Sequence, residues 1–121
     1  MAFEGSAAMA SPEESLSDVR DELLRLLRAN DWQLTESARK TSVPILRATG
    51  CLPTDAAVIE FIIGLLETNF PFHQIEMGSG EPGYVMNNAD GRGLYIKLKI
   101  ERGRTDEVWV LSFHLSQHYK G

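Results

Sequence analysis

The chain is 121 residues long, 43% hydrophobic and 24% charged, the balance of a domain large enough to bury a core of its own. Its single cysteine, Cys51, excludes an intramolecular disulfide and a cysteine-based zinc cluster, and no apolar run approaches the roughly 20 residues of a membrane span. A net charge of −5 argues against coating nucleic acid by bulk electrostatics. That average hides an asymmetry, because residues 1–91 carry 6 basic and 14 acidic side chains whereas residues 92–121 carry 6 and 3. An anion would be met by the C-terminal quarter.

Residues 1–10 are small and featureless and read as a disordered tail outside the fold, which leaves residues 11–121 as one domain. They carry neither an early positive charge nor an apolar stretch of signal-peptide type, so no secretory signal is expected, and the single cysteine makes a reducing cytoplasm the expected compartment. Ser11-Pro12-Glu13-Glu14 has the makings of a helix start, and Leu16, Val19, Leu23, Leu26 and Leu27 then recur at the three- and four-residue spacing of one buried stripe. That helix should end near Asn30. From Asp31 to Pro53 the pattern weakens: Thr35 can cap a short helix reaching Arg39 or Lys40, and Pro44, Gly50 and Pro53 should interrupt anything longer.

Thr54-Asp55 caps a second strong helix whose apolar residues, Val58 to Leu66, point in nearly every direction, as the centre of a core requires. Phe70-Pro71-Phe72 stops it, and Gly78 to Gly83 reads as loop. Three strands follow, Tyr84–Met86, Leu94–Ile100 and Val108–His114, joined by turns at Asn88–Gly91 and Arg102–Asp106. The expected fold is α+β, with N-terminal helices packed on one face of a small antiparallel sheet of about three strands.

Period-2 geometry puts Tyr95, Lys97 and Lys99 on one face of the second strand. On the third strand Val108, Val110, Ser112 and His114 alternate with Trp109, Leu111 and Phe113. If the bulky aromatic set covers the core, Ser112 and His114 emerge beside Tyr95 and Lys97. A phenol, an imidazole and ammonium groups in one place suit phosphodiester cleavage without a metal, since the cations hold the phosphate while His and Tyr exchange protons with the attacking and leaving oxygens. The same alternation also describes a solvated face with edge protection, and His114 between Phe113 and Leu115 also fits a core histidine. His73, His114 and His118 lack metal-ligand spacing, so neither a metal nor another cofactor is expected. Cys51, with no base nearby in sequence, reads as a small buried hydrophobe and not a nucleophile.

Gly93 to Ile100, a short turn, and Val108-Trp109-Val110-Leu111-Ser112-Phe113-His114 resemble the paired strands of MqsR-type toxins of the RelE-like ribonuclease superfamily, with Tyr-x-Lys followed by an apolar strand ending in Ser-Phe. Val58-Ile59-Glu60-Phe61-Ile62-Ile63-Gly64-Leu65 is similar to that family's central helix, so the likeness spans roughly residues 54–116. It implies a bacterial toxin that cleaves messenger RNA, free or on the ribosome, and is silenced by a protein antitoxin. Tyr95 would be the active-site phenol, Lys97 a phosphate-holding cation and His114 the residue after Ser-Phe. Where the family tends to have Phe-Tyr-Lys-Ser-Met, this chain reads Asn69-Phe70-Pro71-Phe72-His73-Gln74, and His73 or Gln74 would stand in for the lysine. Lys99, Arg92, Arg102 and Arg104 are the further cations expected to bind RNA. The sequence leaves a homodimer open, and it leaves open a second reading: a non-catalytic acidic binding module, such as a secretion chaperone or an immunity protein.

Overall fold

The computed structural model describes residues 12–116, and the side chains from residue 16 onward. The expected tail at residues 1–10, the Ser11 cap and His118 lie outside the described residues. Helix α1 spans Pro12–Arg28, and its leucine stripe does what the spacing predicts: Leu23, Leu26 and Leu27 are buried, with Leu16 and Val19 packed against them. Helix α3 (Asp55–Glu67) starts at Thr54, whose hydroxyl accepts the Ala57 N–H at 3.1 Å, and it buries Val58, Ile59, Ile62 and Leu66.

The weakly patterned stretch between them holds two elements, β1 (Trp32–Leu34) and α2 (Glu36–Ala48). Thr35 caps α2 as expected, through the Ala38 N–H at 3.1 Å, but the helix runs on through Pro44. Proline inside a helix removes one backbone bond and crowds the preceding turn, at a cost of roughly 3 kcal/mol. Burial of Ala38, Ser42 and Leu46 on either side of it supplies the compensation. All three helices end alike. Asn30, Gly50 and Asn69 take left-handed backbone angles (φ 65°, 80° and 61°), and the next residue's N–H returns to Leu26, Leu46 and Leu65 at 2.9 Å in each case.

The sheet has five strands, not three, and is mixed, not purely antiparallel. With β2 (His73–Glu76), β3 (Pro82–Met86), β4 (Leu94–Glu101) and β5 (Glu107–Leu115), the order is β1-β5-β4-β3-β2. Strand β1 runs parallel to β5 and every other pair is antiparallel. The two missed strands are the edges. Three residues of β1 are too few to show alternation, and β2 has one apolar residue in four, so each exists because a longer neighbour supplies its hydrogen bonds. Part of the expected loop, Pro82 and Gly83, is strand for the same reason.

Beyond Leu34 the chain leaves the sheet, and hydroxyls of the α2 region take over the exposed side of β5. Thr35 donates from its backbone N–H to the Val110 carbonyl (3.0 Å) and from Oγ1 to the Leu111 carbonyl (3.2 Å), and Thr41 Oγ1 donates to the Phe113 carbonyl (2.7 Å). The far turn is pinned as well. Arg102 binds both carboxylate oxygens of Glu22 on α1 and reaches Asp106 Oδ2 at 3.0 Å, so the β4–β5 turn is clamped to the first helix. Among the described residues no helix is long and apolar enough to cross a membrane.

Candidate functional site

Strand β4 alternates without a break: Leu94, Ile96 and Leu98 are buried, while Tyr95, Lys97 and Lys99 face the other way. Strand β5 does not. Lys97 pairs with Ser112 and Leu98 with Val110, so Leu111 is an extra residue with no partner on β4. This bulge corrects the parity expected from sequence. Val108 and Val110 lie in the core together with Phe113, all at 0% exposure, and Trp109 is on the outer face instead of covering the core. Because the extra residue inverts the alternation once, Ser112 and His114 still emerge outward.

The outer face is therefore built in rows. Tyr95 stands opposite His114, their ring centroids 5.3 Å apart and their planes tilted by 33°. The next row runs His73, Val85, Lys97, Ser112 across four strands. The third holds Lys99, Trp109 and Gln33. Val85, 2% exposed, is the buried apolar residue of this face and stands apart from the core cluster.

Four side chains of these rows have a definable state. His114 Nδ1 lies 3.0 Å from the Leu115 carbonyl oxygen; a carbonyl only accepts, so a neutral ring carries its hydrogen on Nδ1 and leaves Nε2 free to take a proton. Lys97 has no carboxylate partner among the described residues, whereas Lys99 is held by Glu101 at 2.8 Å and Glu81 at 3.5 Å. The hydrogen bond that Lys99 donates to Glu101 is the main reason that its ammonium pKa lies above the ordinary lysine range. Trp109 is fixed by its Nε1–H, which donates to Glu107 at 3.2 Å.

The sequence-predicted set divides accordingly. Tyr95, Lys97 and His114 are brought together. His73 shares the Lys97 row but stands two strand spacings away, about 10 Å between backbones, and it does not join the Tyr95–His114 pair. Arg102 is engaged with Glu22 and Asp106, and both it and Arg104 lie past the far end of β4, about 20 Å along the strand from Tyr95. Arg92 precedes β4 and faces a groove beside α2. Sequence reasoning missed the neutralising carboxylates: Glu101 was legible as two residues from Lys99 on the same face, while Glu81 is brought in only by the β3 pairing. It also missed the Leu111 bulge, whose one signal is two apolar valines out of phase with Phe113.

A phenol, an imidazole with a free lone pair, an ammonium with no carboxylate partner among the described residues and a hydroxyl on one accessible surface can exchange protons and hold an anion. Cys51 is exposed, not buried as the sequence suggested, and among the described residues no three His, Cys, Asp or Glu side chains are gathered to hold a metal ion. Compared with known proteins, the chain matches no family model, no curated protein and no solved structure.

Proposed function

We infer that this chain is a metal-independent endoribonuclease that cleaves messenger RNA, acting as the toxin of a bacterial toxin–antitoxin pair. The observation that carries the reading is the Tyr95–His114 pair set on an accessible sheet face beside Lys97, which has no carboxylate partner among the described residues. In the reaction His114 Nε2 takes the proton of a ribose 2′-hydroxyl as that oxygen attacks the adjacent phosphorus. Lys97 holds the non-bridging oxygens, whose negative charge grows in the transition state. The bond from phosphorus to the 5′-oxygen breaks, and Tyr95 gives its phenolic proton to the departing oxygen. The products are a 2′,3′-cyclic phosphate and a 5′-hydroxyl, and no electrons are exchanged.

The test is cleavage of a single-stranded RNA by the purified chain in excess chelator, with the new ends identified chemically. Lys97→Ala and His114→Ala should each lower the rate by about a hundredfold or more while leaving the fold intact. A 2′-deoxy substitution at the cleaved position should stop the reaction. The second reading, a non-catalytic acidic binding module, draws on one observation: Lys99 and Arg102 are already occupied by carboxylates, which leaves the outer face with little free positive charge. A folded protein that cleaves no RNA and permits normal growth when expressed alone would decide for it.

A further inference from the structure

On the helix side of the sheet, the last turns of α2, the Asn87–Gly93 loop and the end of β5 enclose a groove of about 550 Å³. Its walls are Pro44, Ile45 and Ala48 on one side and Leu115 on the other, with Asp90 and Arg92 at the rim. Leu115 is 50% exposed, and Pro44, Ala48 and Arg92 are exposed too. This is an open trough, not a closed cavity, and a trough cannot surround a small molecule on the sides that a tight ligand needs. What it fits is a segment anchored elsewhere by its own protein.

The backbone around the trough narrows the occupant further. The Gly93 carbonyl accepts the Ser116 N–H (2.7 Å), the Leu94 carbonyl accepts the Ala89 N–H (2.9 Å), and the Phe113 carbonyl is taken by Thr41. Of these, the Gly93 and Leu94 carbonyls face β5 and the loop, and on the open flank of β5 the Phe113 carbonyl is already occupied, so an incoming strand lacks an acceptor there, whereas a helix satisfies its own backbone and needs only an apolar wall. The rim decides the charge. Asp90 Oδ1 accepts the N–H groups of Arg92 (2.8 Å) and Leu94 (3.0 Å), so it is committed to the loop. The Arg92 guanidinium has no carboxylate partner among the described residues, and neither has Arg47 in the same last turn of α2.

We propose that this groove is a docking site for an amphipathic helix of a partner protein, with an apolar stripe laid between α2 and Leu115 and an aspartate or glutamate beside the stripe meeting Arg92. The site lies on the opposite side of the sheet from Tyr95 and His114, so the inference stands independently of the ribonuclease reading.

The test uses the full chain and no RNA. A phage-displayed library of random peptides about 16 residues long, roughly four helical turns, is panned against it, and the selected peptide is synthesised with a fluorescent label for anisotropy titration. The expected result is a peptide with apolar residues at three- and four-residue spacing flanked by an acid, whose binding weakens about tenfold or more in Leu115→Asp. Arg92→Glu should weaken it comparably and restore it for the peptide whose acid is changed to lysine. Leu115 is half-exposed and Arg92 exposed, so both variants should keep the wild-type circular dichroism; Ala48→Glu on the opposite wall serves if either does not. Enrichment of no peptide, peptide binding indifferent to both substitutions, or saturable binding of a small apolar anion such as anilinonaphthalene sulfonate with no peptide selected would overturn the proposal.

Discussion

Deleting Leu111 is the sharpest perturbation of the outer face. In the observed register the residue has no partner on β4, so its removal joins Val110 to Ser112 and leaves Leu98, Lys97, Ile96 and Tyr95 opposite Val110, Ser112, Phe113 and His114 in regular alternation. What is lost is the Thr35 hydroxyl's bond to the Leu111 carbonyl, about 1 kcal/mol, and the half-buried leucine, about 1 kcal/mol more. The variant should thus be about 2 kcal/mol less stable and keep any RNA cleavage within roughly tenfold. Were β5 bulge-free, the same deletion would reverse every side chain beyond it. Phe113, 0% exposed and edge-to-face with Phe61 at 5.8 Å, would leave the core at roughly 3–5 kcal/mol, and His114 would be driven under the helices at about 1–3 kcal/mol more. That sum, about 4–8 kcal/mol, approaches the whole stability of a domain this size. Urea denaturation followed by circular dichroism separates the two cases, and a loss above about 4 kcal/mol would refute the register argument.

Three further outcomes follow from the same geometry. Glu101→Gln combined with Glu81→Gln releases Lys99, so RNA binding should tighten and the slope of log affinity against log salt should steepen by about 0.7, the value for one more phosphate on a single strand. Arg102 lowers the carboxyl pKa of Glu22 and of Asp106, chiefly by hydrogen bonding, from 4.5 and 3.8 respectively. Depressed carboxylates stabilise the fold above those values and lose the effect as pH falls through the folded ones. Arg102→Ala should therefore reduce the drop in melting temperature between neutral pH and pH of about 3, and an unchanged drop would count against the clamp. Thr35→Ala should destabilise by about 2 kcal/mol and Thr54→Ala by about 1, because both cap a helix but Thr35 also bonds the Leu111 carbonyl; equal losses in thermal unfolding would contradict that second role.

The strongly periodic elements were legible in the sequence. The α1 leucine stripe, the Thr54-capped central helix and the alternation of β4 follow from local spacing alone, and with them the α+β class. What escaped depends on partners distant in the chain. Strand β1 is a strand because β5 lies beside it, α2 passes Pro44 because Ser42 and Leu46 are held in the core, and Lys99 is neutralised in part by Glu81, eighteen residues away. The grouping of Tyr95, Lys97 and His114 was readable, although the assignment of faces on β5 was half reversed. Unbroken alternation turns His114 outward only if Trp109 and Phe113 share the core face; the bulge separates those two and still leaves His114 outward.

The hydroxyls of Thr35 and Thr41 have a consequence for the protein in a crowded cell. A strand flank that ends in bare carbonyls invites a second chain to add itself, and repeated addition is how ordered aggregates grow. Covering the Leu111 and Phe113 carbonyls with threonine side chains closes that route on the strand that carries His114. Recruitment of further strands is left to the two edge strands, of which His73–Glu76 is the longer, and solubility during overproduction should prove most sensitive to substitution there.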